Sequence, residues 1–133
     1  MSSIFSKIIN GEIPSYRIAE TDSYYAFLDI RPLAKGHILV IPKIEIDYIF
    51  ELPDDVLAGL MIFAKKVSKA IETVVPCKRV GLMVIGTEVP HAHIHLIPFQ
   101  SESEICIKNK PIQIDVVDMK SLSSKIAEAY KKL

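Results

Sequence analysis

The segment PHAHIHLIPF, residues 90–99, constrains the fold more than any other part of the chain. It places histidines at 91, 93 and 95 and apolar residues at 92, 94 and 96. In a β-strand, side chains two residues apart point to the same face and lie about 6.6 Å apart. The segment therefore predicts a strand over 91–99, with one face packed in a core and a row of imidazoles facing an opening on the other.

A single histidine in a strand is most often an ordinary core or surface residue with a satisfied hydrogen bond. A row of them is not ordinary packing, because imidazoles are costly to desolvate and pack less well in a sheet than Val or Ile. Zinc binding is one interpretation, although no Cys, Asp or Glu is in phase with the row and Glu88 would have to turn inward. The other is chemistry on a phosphate, in which one neutral imidazole attacks phosphorus, its neighbours donate hydrogen bonds and His37 supports the row.

The remaining periodicities predict an antiparallel α+β domain with a sheet of about five strands, two main helices and a short N-terminal helix. The predicted elements are a helix over 3–10, a hairpin over 15–30 broken at 20–23, a buried strand over 36–42, an amphipathic helix over 54–74, strands over 80–86 and 91–99 joined by a turn at 87–90, a candidate short strand over 112–117, and a last helix that Asp118 opens. The apolar face of that last helix is Met119, Leu122, Ile126, Tyr130 and Leu133. An antiparallel sheet is favoured because consecutive strands lack helical crossovers.

The composition narrows the class of protein. The chain has 133 residues, enough for a single domain, and its 16 basic and 16 acidic residues balance, so we expect no binding of nucleic-acid polymers. No apolar run has the roughly 18 residues of a membrane span, and the first residues do not read as a signal peptide, which indicates a cytoplasmic protein with no membrane partner. Cys77 and Cys106 are predicted to be buried free thiols.

At the histidine row the sequence resembles the histidine triad (HIT) family, whose signature is His-φ-His-φ-His-φ-φ with φ apolar. Residues 91–97, HAHIHLI, match it in full. The segments IFSKIINGEIPS near the start and AFLDIRPLAKGHILVIPK at 26–43 are similar to the Hint branch, so the likeness covers about residues 4–99. It implies a HIT-like fold in one domain over 1–133, in which a C-terminal extension contains a helix at about 118–132.

The resemblance also implies a role for each site residue. His93 corresponds to the nucleophile that attacks the α-phosphorus, His95 to the hydrogen-bond donor, and His91 and His37 to supporting histidines. Asp29 corresponds to the carboxylate that receives the ribose hydroxyls, and Thr87 lies in the phosphate-binding segment. The apolar cleft around the base corresponds to Ile4, Phe5, Ile8, Phe27 and Ile30. From the residues alone, Ile4, Phe5 and Ile8 could equally be plain core, and Asp29 could cap the turn at Arg31–Pro32.

Some positions depart from the family pattern. Thr87 and Glu88 stand where Hint proteins have Gln and Ser or Thr, and a carboxylate beside a phosphate is unfavourable unless it points away or meets a cation. Hint proteins usually have an asparagine in the preceding strand, where this chain has Val84 and Ile85. Several bacterial relatives hold zinc through a Cys-x-x-Cys near the N-terminus, where this chain has Ser3 and Ser6, so we expect no metal and no cofactor.

The function implied by the resemblance is hydrolysis at the α-phosphate of a nucleoside phosphoramidate or related conjugate through a nucleotidyl-histidine intermediate. The alternatives are dinucleoside polyphosphate hydrolysis and a nucleotide-binding regulatory module with little turnover. His95 argues against the transferase branch, which has glutamine there. A purine nucleotide is the expected substrate and a homodimer the expected assembly, with the helix over 54–74 and a sheet edge pairing across a two-fold axis.

Overall fold

The computed structural model describes residues 2–86 and 88–133. Its helices and strands follow the chain in the order α1 (Ile4–Ile9), β1 (Arg17–Glu20), β2 (Tyr24–Leu28), β3 (Ile38–Pro42), α2 (Asp54–Val74), β4 (Arg79–Met83), β5 (Ile94–Phe99) and α3 (Val116–Lys131). Short 3-10 turns lie at Ile49–Glu51 and Glu102–Ile105. In the part of the chain so described, no helix is both long and apolar enough to cross a membrane.

The five strands form one antiparallel sheet in the order β1-β2-β3-β5-β4. β5 lies between β3 and the edge strand β4, so that His95 is paired with Leu39 on one side and Met83 on the other. This arrangement confirms the predicted α+β class and the antiparallel sheet.

The two faces of the sheet are covered differently. The helices α2 and α3 pack on one face and form the main core, which includes Ala92, Ile94 and Leu96 as the alternation predicted. On the opposite face α1 covers a smaller apolar cluster built from Phe5, Tyr25, Phe27, Leu39 and Ile41. The histidines therefore lie at the border between the sheet and α1, because their alternation places them opposite the α2 and α3 face.

Several predicted boundaries were wrong. β5 begins at Ile94 rather than at residue 91, because the His91 N–H bonds to the Val89 carbonyl and the Ala92 N–H to the Ile46 carbonyl instead of a neighbouring strand. β4 ends at Met83, three residues before the predicted end at 86. Histidines 91 and 93 thus lie just before β5, outside the strand.

The C-terminal region also differs from the prediction. Residues 112–117 contain no strand, and α3 begins at Val116 with Asp115 as its N-cap, accepting the Asp118 N–H at 2.8 Å. An acidic residue three positions earlier thus performs the capping that the sequence assigned to Asp118. Leu133 is 54% exposed and lies beyond α3, so it does not belong to the apolar face. Both cysteines are free, but neither is buried as predicted: Cys77 is half-buried and Cys106 is exposed.

Candidate active site

His93 is the histidine whose ring is best arranged as a nucleophile. Its Nδ1 lies 2.8 Å from the His91 carbonyl oxygen, which can only accept a hydrogen bond. The neutral ring must therefore carry its proton on Nδ1, and the lone pair remains on Nε2. Gly86, with φ of +71°, lies so close that a Cβ there would be 3.2 Å from His93 Cε1.

A second chain of hydrogen bonds fixes the proton of His95. The Leu33 N–H donates to His37 Nδ1 at 3.0 Å, so His37 carries its proton on Nε2. That Nε2–H points at His95 Nδ1 at 2.9 Å. His95 Nδ1 is thus an acceptor and its own proton lies on Nε2, available to an external acceptor. The His93 and His95 ring centroids are 5.1 Å apart, which places a lone pair and a donor side by side.

His91 joins separate parts of the chain. Its Nε2–H donates to the Pro42 carbonyl at 2.8 Å, and its Nδ1 lies 2.8 Å from the Ser3 hydroxyl. Both ring nitrogens are therefore engaged, and the residue is completely buried. This histidine supports the site and presents no free nitrogen to a ligand.

Burial lowers the pKa of three of the histidines. For His95 the pKa falls to about 4, first through desolvation and then through the neighbouring His37 and His93. Desolvation also lowers the pKa of His37, opposed by the nearby Asp29 carboxylate, and that of His91. These rings are therefore neutral near pH 7, as the hydrogen-bond assignment requires.

The histidine row is more enclosed than the sequence predicted. The exposed fractions are 0% for His91, 1% for His37, 6% for His93 and 8% for His95. The row therefore does not face a wide opening, and only the last two members retain any exposed surface. A reacting group can reach the row only at His93 and His95.

Asp29 follows β2 and caps the turn after it, as the alternative interpretation predicted. Its Oδ1 accepts the Arg31 N–H at 2.9 Å, and its Oδ2 lies 3.5 Å from His37 Nε2. The carboxylate is thus beside the histidines, whereas a role toward a ribose remains a prediction.

The predicted cleft residues divide into two groups. Phe5 and Phe27 are buried in the small cluster under α1, and Ile8 packs against that cluster. Ile4 is 50% exposed and Ile30 is 75% exposed, so neither is a plain core residue and both are accessible to a ligand. Thr87 lies outside the described residues, while Glu88 next to it is exposed.

Sequence reasoning missed the residues that orient the histidines. Leu33 and Pro42 act through backbone groups, so no side-chain pattern could have indicated them. Ser3 contacts His91 across 88 positions, and Gly86 packs on His93. For Gly86 a signal was present, because a glycine between a strand and the histidine row is typical of a close backbone approach.

Among the residues that the structure describes, one group of side chains has the geometry to hold a metal ion. Donor atoms of Asp29, His37 and His95 all lie within 4.8 Å of one another. The two histidine nitrogens of this group share a proton at 2.9 Å, and a metal would have to replace that proton. Proton sharing and metal binding are thus alternative states of the same atoms.

Comparison with known proteins identifies the family. The HIT domain family profile matches residues 10–102. The chain belongs to the HIT family. A solved HIT-family structure, the hypothetical histidine triad nucleotide-binding protein of Sulfolobus tokodaii, superposes with a TM-score of 0.85 at 30% identity, over 97% of this chain and 92% of that one. The predicted HIT fold is thereby confirmed.

Several curated HIT relatives have names that state an activity, and two of them represent the two activities named. Adenosine 5'-monophosphoramidase HNT1 of Saccharomyces cerevisiae is 42% identical over 112 residues, which are 83% of this chain and 70% of the relative. Adenylylsulfatase HINT3 of Arabidopsis thaliana is 35% identical over 100 residues, which are 71% of this chain and 51% of the relative.

Proposed function

We propose that this HIT-family hydrolase cleaves a nucleoside phosphoramidate, or a related nucleotide conjugate, at the α-phosphate with His93 Nε2 as the nucleophile. One observation carries the proposal: the His91 carbonyl holds the His93 proton on Nδ1, at 2.8 Å, and leaves the Nε2 lone pair free. A neutral imidazole whose other nitrogen is held in this way is an adequate nucleophile near neutral pH.

The proposed reaction has two displacements at phosphorus. In the first, His93 Nε2 bonds to the α-phosphorus while the bond to the leaving amine breaks, the amine nitrogen takes a proton from solvent, and the neutral His95 Nε2–H donates a hydrogen bond to the phosphate and the leaving group. In the second, water attacks phosphorus and returns a proton to solvent, and the His93–phosphorus bond breaks to release the nucleoside monophosphate. The 5.1 Å between the two ring centroids supports this division of roles, because both rings can reach one phosphate.

The named relatives support the substrate class. One is a phosphoramidase and the other an adenylylsulfatase, and both names denote conjugates of an adenylyl group. We therefore propose a purine nucleotide as substrate. Exposed Ile4 and Ile30 are the proposed walls for the base, and Asp29 the proposed acceptor for the ribose hydroxyls. The proposal includes a cytoplasmic location, where such nucleotides are available.

Two alternatives use the same histidines. Dinucleoside polyphosphate hydrolysis differs only in the leaving group, and no described residue separates it from the leading proposal. A binding module with little turnover is favoured by exposed Glu88, whose carboxylate lies next to the segment expected to contact phosphate. Incubation with adenosine phosphoramidate decides between enzyme and binding module. We expect the wild type to release AMP and His93→Ala to release none, and equal release from both proteins would overturn the proposal.

We also propose a homodimer. The edge strand β4 has an exposed Leu82, and Val84 and Ile85 follow it at 39% and 47% exposure. On α2, Ile62 is 70% exposed. An unpaired edge strand beside exposed apolar side chains favours pairing with a second copy. Sedimentation at micromolar concentration should give the mass of a dimer, and a monomer at that concentration would contradict this part of the proposal.

A further inference from the structure

We infer that Ser3 and Glu45 are positioning residues that fix the His91 ring and, through it, the position of the backbone carbonyl that holds His93. The effect of Ser3 and Glu45 on catalysis rests on the proposed function, whereas their contacts are those of the protein without substrate. Neither residue touches the reacting atoms in this account.

Glu45 anchors the start of α1 to the connection between β3 and α2. Its Oε1 accepts the Ser3 N–H and the Ser6 hydroxyl, each at 2.6 Å. The Ser3 N–H, followed by the Ser6 hydroxyl, lowers the pKa of the Glu45 carboxyl to about 2. The carboxylate is therefore ionised at any pH where the protein is expected to work, and charge-assisted bonds of this length are the stronger kind.

Ser3 links the start of α1 to His91. As the N-cap of α1, its Oγ accepts the Ser6 N–H at 3.0 Å, which leaves its hydroxyl proton free to be donated. That proton points at His91 Nδ1, 2.8 Å away. The Ser6 hydroxyl is farther from the same nitrogen, at 3.5 Å, and its proton goes to Glu45. Ser3 is thus the donor to His91 Nδ1, and it fixes the orientation of that ring.

His91 in turn determines the geometry of His93. With Nδ1 accepting from Ser3 and Nε2–H donating to the Pro42 carbonyl, the His91 ring has one favourable tautomer and one orientation. Its backbone carbonyl is the acceptor for His93 Nδ1–H. Ser3 and His91 are 5% and 0% exposed, so water cannot easily replace a lost partner. A change at Ser3 is therefore expected to shift the His91 carbonyl and weaken its bond to His93 Nδ1–H.

The same anchor holds an aromatic ring against the nucleophile. α1 carries Phe5, whose ring packs edge to face on the ring of His93, with centroids 5.0 Å apart. The Phe5 ring also packs edge to face on the ring of His91, with centroids 5.9 Å apart. Releasing Glu45 from the start of α1 would loosen these contacts as well. An ordinary helix cap needs only one acceptor, so the additional donation from Ser3 to a buried histidine is not explained by helix capping.

Variants at Ser3 and Glu45, with a control at Glu51, separate positioning from folding. Ser3→Gly keeps a favourable helix cap but removes the donor to His91, because Gly replaces Ser at an N-cap at little cost. Glu45→Gln keeps the size and one acceptor oxygen but removes the charge. Glu51→Gln is the matched control, since Glu51 is an exposed carboxylate on the same connection and makes no side-chain hydrogen bond among the described residues.

With adenosine phosphoramidate, we expect Ser3→Gly to lower kcat roughly three- to tenfold, the usual effect of losing one buried hydrogen bond. KM should change less than about twofold because Ser3 does not contact substrate in this account. Glu45→Gln should lower kcat in the same direction and by less. Ser3→Thr should restore kcat because it keeps the hydroxyl, and Glu51→Gln should leave it unchanged.

Nitrogen-15 NMR of the histidine rings tests the inference without any turnover. In the wild type without nucleotide, we expect His93 protonated on Nδ1 only and His91 on Nε2 only. In Ser3→Gly the His91 Nδ1 resonance should move toward that of a nitrogen with no donor, and the His93 Nδ1 resonance should shift as its bond to the His91 carbonyl weakens; Glu45→Gln should shift both in the same direction. If Glu45→Gln and a folded Ser3→Gly retain wild-type spectra and wild-type kcat, the inference is wrong. If the wild type does not hydrolyse the substrate, the proposed function fails, but the spectra still decide whether Ser3 and Glu45 position His91 and His93.

Discussion

Paired substitutions at His37 test whether its hydrogen bond to His95 Nδ1 keeps the His95 proton on Nε2. Asparagine places its amide near the position of Nδ1 and can keep the contact with the Leu33 N–H, whereas glutamine reaches the position of Nε2 and can still donate to His95. The bond at stake joins two buried rings at 2.9 Å. Leaving a buried acceptor unsatisfied costs about 1–3 kcal/mol, which corresponds to roughly five- to 150-fold in rate. We therefore expect His37→Asn to lower kcat by about one to two orders of magnitude.

His37→Gln is the matched control, with similar volume and polarity, and we expect its kcat to remain within about fivefold of wild type. The assay is steady-state release of AMP from adenosine phosphoramidate, with circular dichroism to confirm that both variants are folded. The reasoning is refuted if the two variants lose activity equally, because then the hydrogen bond to His95 Nδ1 does not determine the rate.

Further predictions concern stability, pH and metals. Gly86→Ala should destabilise the fold by about 1–2 kcal/mol because φ is +71°, and it should also lower kcat because the new Cβ would lie 3.2 Å from His93 Cε1; thermal melts and steady-state rates check both effects. Because the His95 pKa is lowered to about 4 in the folded protein, the unfolded chain binds more protons between about pH 6.5 and 4, so stability should fall as the pH falls through that window. The pKa of this ring allows the free energy of unfolding to fall by at most about 3 kcal/mol, and solvent at the open edge of the site reduces the expected loss to about 1–2 kcal/mol. Urea melts at pH 7 and pH 4.5 measure this loss, and equal stability at the two pH values would contradict the lowered His95 pKa. Treatment with a chelator should leave activity unchanged, whereas a loss that zinc restores would favour a metal at Asp29, His37 and His95.

The alternation in residues 91–96 was sufficient to predict which side chains enter the core, because the two-residue period is local. Ala92, Ile94 and Leu96 lie where it placed them. It did not predict that the strand starts only at Ile94, since that depends on bonds to the distant Ile46 carbonyl and to Val89.

The C-terminal region was misread for a local reason. Val116 and Val117 are β-branched and predict a strand, yet they form the first turn of α3 at 58% and 75% exposure. Asp115 and Asp118 are both plausible caps, and only the backbone geometry shows that Asp115 is the one used. The position of the helix was predictable, but its first residue was not.

The functional state of the histidines was the part least accessible to sequence. Their spacing indicates the reaction class, but the protonated nitrogen of each ring is set by tertiary partners. The partners are backbone groups of Leu33, Pro42 and His91 and the hydroxyl of Ser3. Backbone groups occur at every residue, so no pattern of side chains identifies the ones that matter.

In the proposed reaction, His93 Nε2 forms a covalent bond to the α-phosphorus. Reaction with adenosine phosphoramidate, stopped in alkali within the first turnover and followed by digestion and mass spectrometry, tests it directly. We predict an adenylyl group on His93 in the wild type, transient in time and missing from His93→Ala. An adenylyl group on another residue, or complete turnover with no labelled peptide at any time, would contradict the account.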